Sequence, residues 1–113
     1  MKRVEDKRPW GEFEQFTLNE VSTVKILTVE AGKRNSLQRH RYREEFWKII
    51  EGECKVQIGN KKINPEKGDE FVIKKGQLHR LEGLKKEAKI LEISFGKFDE
   101  KDIERIEDDY GRA

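Results

Sequence analysis

His40 and His79 are the only histidines in the chain, and both lie among groups that can bind a cation. Gln38 and His40 are two residues apart, so on an extended strand both side chains leave the same face. Glu45 follows across a short polar loop, at the head of the apolar run Phe46-Trp47-Lys48-Ile49-Ile50. Two imidazoles, an amide oxygen and a carboxylate are a donor set for one divalent transition metal, with zinc foremost and manganese, cobalt, nickel or iron as alternatives. One carboxylate among neutral donors leaves the bound ion positive, and therefore a Lewis acid. His40, His79 and Glu45 also match the two-histidine, one-carboxylate set of non-haem iron oxygenases.

These groups are far apart in sequence, so strands must bring them together. Phe13 to Leu18 and Val21 to Val29 read as strands around the turn signal Asn19-Glu20. In the second, Val24, Ile26 and Thr28 share one face, and Lys25, Leu27 and Val29 share the other. Gly59-Asn60 reads as a tight hairpin between Cys54 to Ile58 and Lys61 to Asn64. Glu70 to Ile73, His79 to Glu82 and Ala88 to Phe95 are further strands. In the last of these, Glu92 faces opposite to Leu91 and Ile93, and alternation alone does not say which face is buried. Residues 1–7 read as a charged, aperiodic arm before the punctuation Arg8-Pro9-Trp10-Gly11. Near the end, Asp99 is a candidate N-cap, and Ile103, Ile106 and Tyr110 are spaced three and four apart. That pattern predicts a short helix over 99–110 with one apolar stripe. Many short strands with Gly and Pro turns give an all-β class, a sandwich or barrel of a single domain over 1–113.

Composition narrows the function classes. Charged residues make up 42% of the chain, yet they nearly cancel at +2, which gives no basic patch for nucleic acid. No apolar run approaches the ~18 residues of a membrane span. The charged start lacks the apolar stretch of a signal peptide, and the single cysteine, Cys54, forms no internal disulfide. The expectation is a cytoplasmic protein without a membrane or nucleic-acid partner. A surface rich in Lys and Glu suits the ion-pair networks of thermophiles.

Two stretches resemble the paired motifs of the cupin superfamily. Gly32, Gln38, His40, Glu45 and Gly52 fall on the spacing of the first, with Gln38 in place of its first histidine. Gly68, Gly76 and His79 fit the second, with Lys74 and Gly83 replacing its proline and asparagine. The blocks Arg8-Pro9-Trp10-Gly11, Ser36-Leu37-Gln38 with His40, Glu45 with Trp47, His79-Arg80-Leu81-Glu82 and Glu107 to Arg112 further resemble the type II phosphomannose isomerase domain. Arg41, Tyr42 and Phe46 depart from the histidines common in that family. The resemblance implies a single cupin jelly-roll barrel, which the strand count also favours. It implies interconversion of mannose 6-phosphate and fructose 6-phosphate through a cis-enediol, at a metal held by Gln38, His40, Glu45 and His79. Arg80, Glu92 and Lys33 are then the catalytic candidates, and Ser36, Lys33, Arg80 and Arg112 the substrate contacts. It also implies a homodimer, paired through the segment around Trp10 or the strand from Phe13. A non-catalytic sugar-binding cupin and a metal-dependent cupin oxygenase stay open as alternatives.

Overall fold

The computed structural model describes all residues from Met1 to Ala113. It is all-β. The chain begins with a hairpin of β1 (Val4–Arg8) and β2 (Gly11–Gln15), which pair only with each other. β3 (Ser22–Val29), β10 (Ala88–Phe95), β5 (Glu45–Glu51) and β8 (Glu70–Ile73) form a four-stranded antiparallel sheet in that order. β11 (Glu104–Glu107), β4 (Leu37–Arg39), β9 (His79–Gly83), β6 (Cys54–Ile58) and β7 (Lys61–Ile63) form a five-stranded sheet. The two sheets are not hydrogen-bonded into a closed barrel. The expected barrel is thus an open two-sheet jelly roll, with edges at β3 and β8 in one sheet and at β11 and β7 in the other.

Alternation places the core between the sheets. Trp47, Ile49, Ile73 and Ile90 come from the first sheet, and Cys54, Val56 and Leu81 from the second; all are buried. Leu27 and Val29 of β3 pack against the same cluster, on the face that also carries Lys25. Gly52 permits the turn into β6: its φ is +86°, and a side chain there would collide with the backbone of Glu87 and Ala88.

Both termini differ from their sequence expectations. Val4 to Arg8 are a strand, because Pro9-Trp10 closes a two-residue turn that pairs Arg8 with Gly11. Arg3, Glu14, Lys48 and Glu70 then tie the base of this hairpin to the four-stranded sheet through ion pairs. The helix expected over 99–110 is absent. Asp99 instead caps a turn, accepting from the Lys101 N–H at 2.9 Å through its side chain and from the Asp102 N–H through its carbonyl. Glu104 to Glu107 continue as a strand along β4. The apolar stripe that suggested a helix finds nothing to cover it: Ile106 and Tyr110 are exposed. The free edge of β4 offers backbone partners instead. No helix of the chain is long and apolar enough to cross a membrane.

Candidate metal centre

The two sheets bring His40, Glu45 and His79 together with ligand atoms within 4.8 Å of one another. His79 opens β9 facing inward, Glu45 opens β5, and His40 follows β4 by one residue. All three are buried. Each imidazole is oriented from behind. His40 Nδ1 lies 2.7 Å from the carbonyl of Asp102, and His79 Nδ1 lies 2.9 Å from that of Gln77. A carbonyl only accepts, so both Nδ1 atoms carry the hydrogen and donate. Burial, the larger influence in each case, pushes both imidazole pKa values down and keeps the rings neutral. The two Nε2 atoms are therefore bare lone pairs, and they face each other at 3.2 Å.

The carboxylate completes the arrangement. Glu45 Oε2 accepts from Ser94 Oγ and from Arg43 Nε, each at 3.0 Å. Glu45 Oε1 is buried with no hydrogen-bond partner and lies 3.6 Å from His79 Nε2. Two opposed lone pairs beside an orphaned carboxylate oxygen call for a cation. Nitrogen and carboxylate donors with backbone carbonyls behind the rings fit a divalent transition metal. Gln38 sits beside them as the direct cross-strand partner of His79, accepting from Ser36 Oγ at 3.2 Å.

Two rows of inward-facing residues frame the site. Across the five-stranded sheet run Arg105, Gln38, His79 and Ile58, each paired with the next. Across the other sheet run Lys25, Glu92, Trp47 and Phe71. A cavity of about 380 Å³ opens between the rows, lined among others by Gln38, His40, Arg43, Glu92, Lys25 and Arg105. A larger depression of about 660 Å³ beside Tyr42 and Lys75 is lined by none of the donors. Glu92 thus faces the interior, while Ile93 packs on the outer side of the sheet. Burial and the nearby charge of Glu45 raise its pKa to about 7, against the opposing hydrogen bond from Trp47 and the charge of Lys25. Trp47 Nε1 donates to Glu92 Oε2 at 3.2 Å, and the indole meets the His79 ring edge-on at 5.4 Å between centroids.

The other expected residues lie elsewhere. Arg80 alternates with His79 and points to the opposite face of β9. There Nε donates to the Asn35 carbonyl, and the guanidinium bonds the side chain and carbonyl of Glu107. Lys33 is 62% exposed and paired with Glu30, while Arg112 is bound to Asp108 in the tail. Ser36 is buried and reaches the site only through Gln38. Tyr42 is exposed, and Phe46 packs against Phe16 on the outer face, so neither departure touches the cavity. Sequence reading missed Arg43, whose Nη2 also approaches His40 Nε2 at 3.3 Å and whose guanidinium covers the Phe98 ring. Its place two residues before Glu45 was the available signal. Lys25 was marked only by being a charge on the face of Leu27 and Val29. Arg105 was hidden by the helical reading of the tail.

The family model for the C-terminal part of mannose-6-phosphate isomerase matches residues 2–108. The alginate biosynthesis protein AlgA of Pseudomonas aeruginosa is 36% identical over 108 residues, covering 94% of this chain and 22% of that protein. The mannose-1-phosphate guanylyltransferase of Escherichia coli K12 is 34% identical over 109 residues, covering 94% and 23%. The chain spans about a fifth of the length of these curated relatives. Among solved structures, a double-stranded β-helix protein of Klebsiella pneumoniae superposes with a TM-score of 0.67 at 19% identity, covering 81% of this chain and 79% of that one. A cupin protein of Bacteroides fragilis superposes with a TM-score of 0.61 at 22% identity, covering 73% and 72%. These two establish the cupin fold.

Proposed function

This chain belongs to the family of the C-terminal part of mannose-6-phosphate isomerase, and we propose that it interconverts mannose 6-phosphate and fructose 6-phosphate with one divalent metal held by Gln38, His40, Glu45 and His79. The observation that carries this reading is Glu92, a buried carboxyl with a pKa near 7 in the same cavity as the two histidines. An aldose–ketose isomerisation moves one proton between C1 and C2, and a group that titrates near neutrality can both accept and return it. A divalent ion in the site supplies positive charge for the substrate oxygens on C1 and C2. Glu92 takes the C2 proton of the aldose, leaving a cis-enediolate with its charge on O1; the hydroxyl proton passes from O2 to O1, and Glu92 returns its proton to C1 as the C2 carbonyl of the ketose forms. The Trp47 N–H holds one oxygen of Glu92 and leaves the other for the substrate. Arg43 and Ser94 hold Oε2 of Glu45, so that Oε1 stays directed at the histidines.

The departures at Tyr42 and Phe46 lie outside the cavity, which weighs against a pocket that has lost turnover. The test is exchange of the C2 proton of mannose 6-phosphate with deuterated solvent, alongside fructose 6-phosphate formation, after loading with Zn, Mn, Co or Ni. Glu92→Gln should abolish exchange while metal content is unchanged. No exchange and no product with any of these ions would refute the isomerase and leave a sugar-binding module.

The same reading includes a homodimer. A lone two-stranded hairpin is marginal in water and leaves both outer edges unpaired, and Trp10 at its tip is 73% exposed. A second copy would cover these edges. A monomer mass by light scattering at micromolar concentration would reject it.

A further inference from the structure

The proposed reaction uses one end of the cavity, and its mouth is left over. There one edge strand of each sheet, β3 and β11, lines the cavity, and each contributes one cation at the end of its row: Lys25 beside Glu92, and Arg105 beside Gln38. The cavity's third cation, Arg43, is occupied by Glu45 and the Asp99 carbonyl. Arg105 is half-buried, and its Nε is buried without an acceptor. The Lys25 ammonium rests over the Phe98 ring, 4.2 Å from its centroid, rather than on a carboxylate. A buried donor without a partner is costly unless a ligand supplies the acceptor. A guanidinium opposite an ammonium, at the open end of a polar cavity, suits a phosphate dianion.

We propose that Arg105 and Lys25 form the subsite for the phosphate group of the substrate, gripping it from the two edge strands. The subsite takes phosphomonoesters of open-chain sugars; only the identity of the sugar rests on the isomerase reading above. Register sets the spacing. Arg105 and His79 stand two strands apart, about 10 Å between backbones, which leaves room for an open sugar chain between the phosphate and the histidines. The phosphate end then reaches the mouth while the C1 and C2 end reaches Glu92. Lys33 and Arg112, the phosphate contacts expected from the sequence, already have carboxylate partners outside this cavity, Glu30 and Asp108.

Calorimetric titration of the metal-free chain with mannose 6-phosphate, inorganic phosphate and unphosphorylated mannose tests the subsite separately from turnover. Arg105→Gln and Lys25→Gln should each weaken mannose 6-phosphate and phosphate by about tenfold or more, as expected for loss of a charged hydrogen bond. Neither should change mannose binding, and Arg105→Lys should recover part of the loss. Lys25→Gln stays informative if Arg105→Gln loosens β11, because Lys25 projects from a strand held by eight pairs to β10. Equal phosphate affinity in wild type and both Gln variants would overturn the subsite. So would wild-type protein that binds mannose as tightly as mannose 6-phosphate. If anion binding is present and sensitive to these substitutions while C2 exchange is absent, the isomerase reading fails and the subsite stands.

Discussion

The layer between the two sheets has two ends made from the same strands. At one end lie Ile49, Cys54, Val56, Leu81, Ala88 and Ile90, a dry apolar core. At the other lie His40, Arg43, Glu45, His79, Glu92 and Ser94, all buried and all polar. β5 gives Glu45 to one end and Ile49 to the other, β9 gives His79 and Leu81, and β10 gives Glu92 and Ile90. Trp47 stands between the two ends, its ring in the core and its N–H on Glu92. Polar groups at this density are tolerated because the adjoining core holds the strands in register, so their side chains need only converge. The core supplies rigidity and the polar end supplies donors.

The largest effect should come from emptying the polar end. His79→Ala or Glu45→Ala should lower metal affinity by more than the roughly 10- to 100-fold that a lost supporting partner costs, as read by elemental analysis and competitive chelation. Neither should destabilise the metal-free fold as much as a core truncation does. Unchanged metal affinity in both variants would erase the distinction between the two ends.

Trp47 tests the boundary. Trp47→Ala should cost about 3–5 kcal/mol in denaturant unfolding, as for other buried aromatic truncations. Trp47→Phe keeps most of the ring and deletes the N–H. That hydrogen bond lowers the Glu92 pKa, so the Phe variant should raise it further and move the acid limb of turnover to higher pH. A Phe variant with an unmoved pH profile would confine Trp47 to packing.

The pH dependence of stability separates the groups by sign. Glu92 holds its proton up to about pH 7 in the folded chain, and only to about pH 4.3 when unfolded. Between those values the folded state binds the extra proton, so this group's contribution is full in acid and is lost as pH rises toward 7. The histidines run the other way: with folded pKa values pushed below the ordinary one, their contribution is present above about pH 6.5 and is lost as pH falls. In metal-free protein, wild type should lose stability relative to Glu92→Gln between about pH 4.3 and 7. A constant difference between the two would remove the buried acid from the account. Metal affinity should decline on acidification only below the ~6.5 of an exposed imidazole.

The smallest effects belong to the outer faces. Arg80→Ala should leave metal content unchanged and cost about 1 kcal/mol by removing part-buried bonds to Asn35 and Glu107. Phe46→His should leave metal affinity unchanged, because that side chain packs on Phe16. A shift in metal affinity from either substitution would mean that the two faces of the sheet are coupled.

What the sequence determined by itself was local. Alternation placed most strands to within a residue or two, and Gly59-Asn60 marked its hairpin, because period and turn chemistry act over a few residues. The donors were legible for the same reason: Gln38 and His40 share a strand face, Glu45 heads the next apolar run, and each histidine sits on a recognisable motif. Tertiary structure decided what depends on pairing at a distance. Glu92 became a buried acid only because β10 turns Ile90 and Glu92 toward the other sheet. Arg80 left the site because strand parity opposes it to His79. Residues 104–107 became a strand because the open edge of β4 satisfies more backbone groups than an uncovered apolar stripe can bury. That same pairing carried Arg105 to the cavity, a placement no local pattern in the tail encodes.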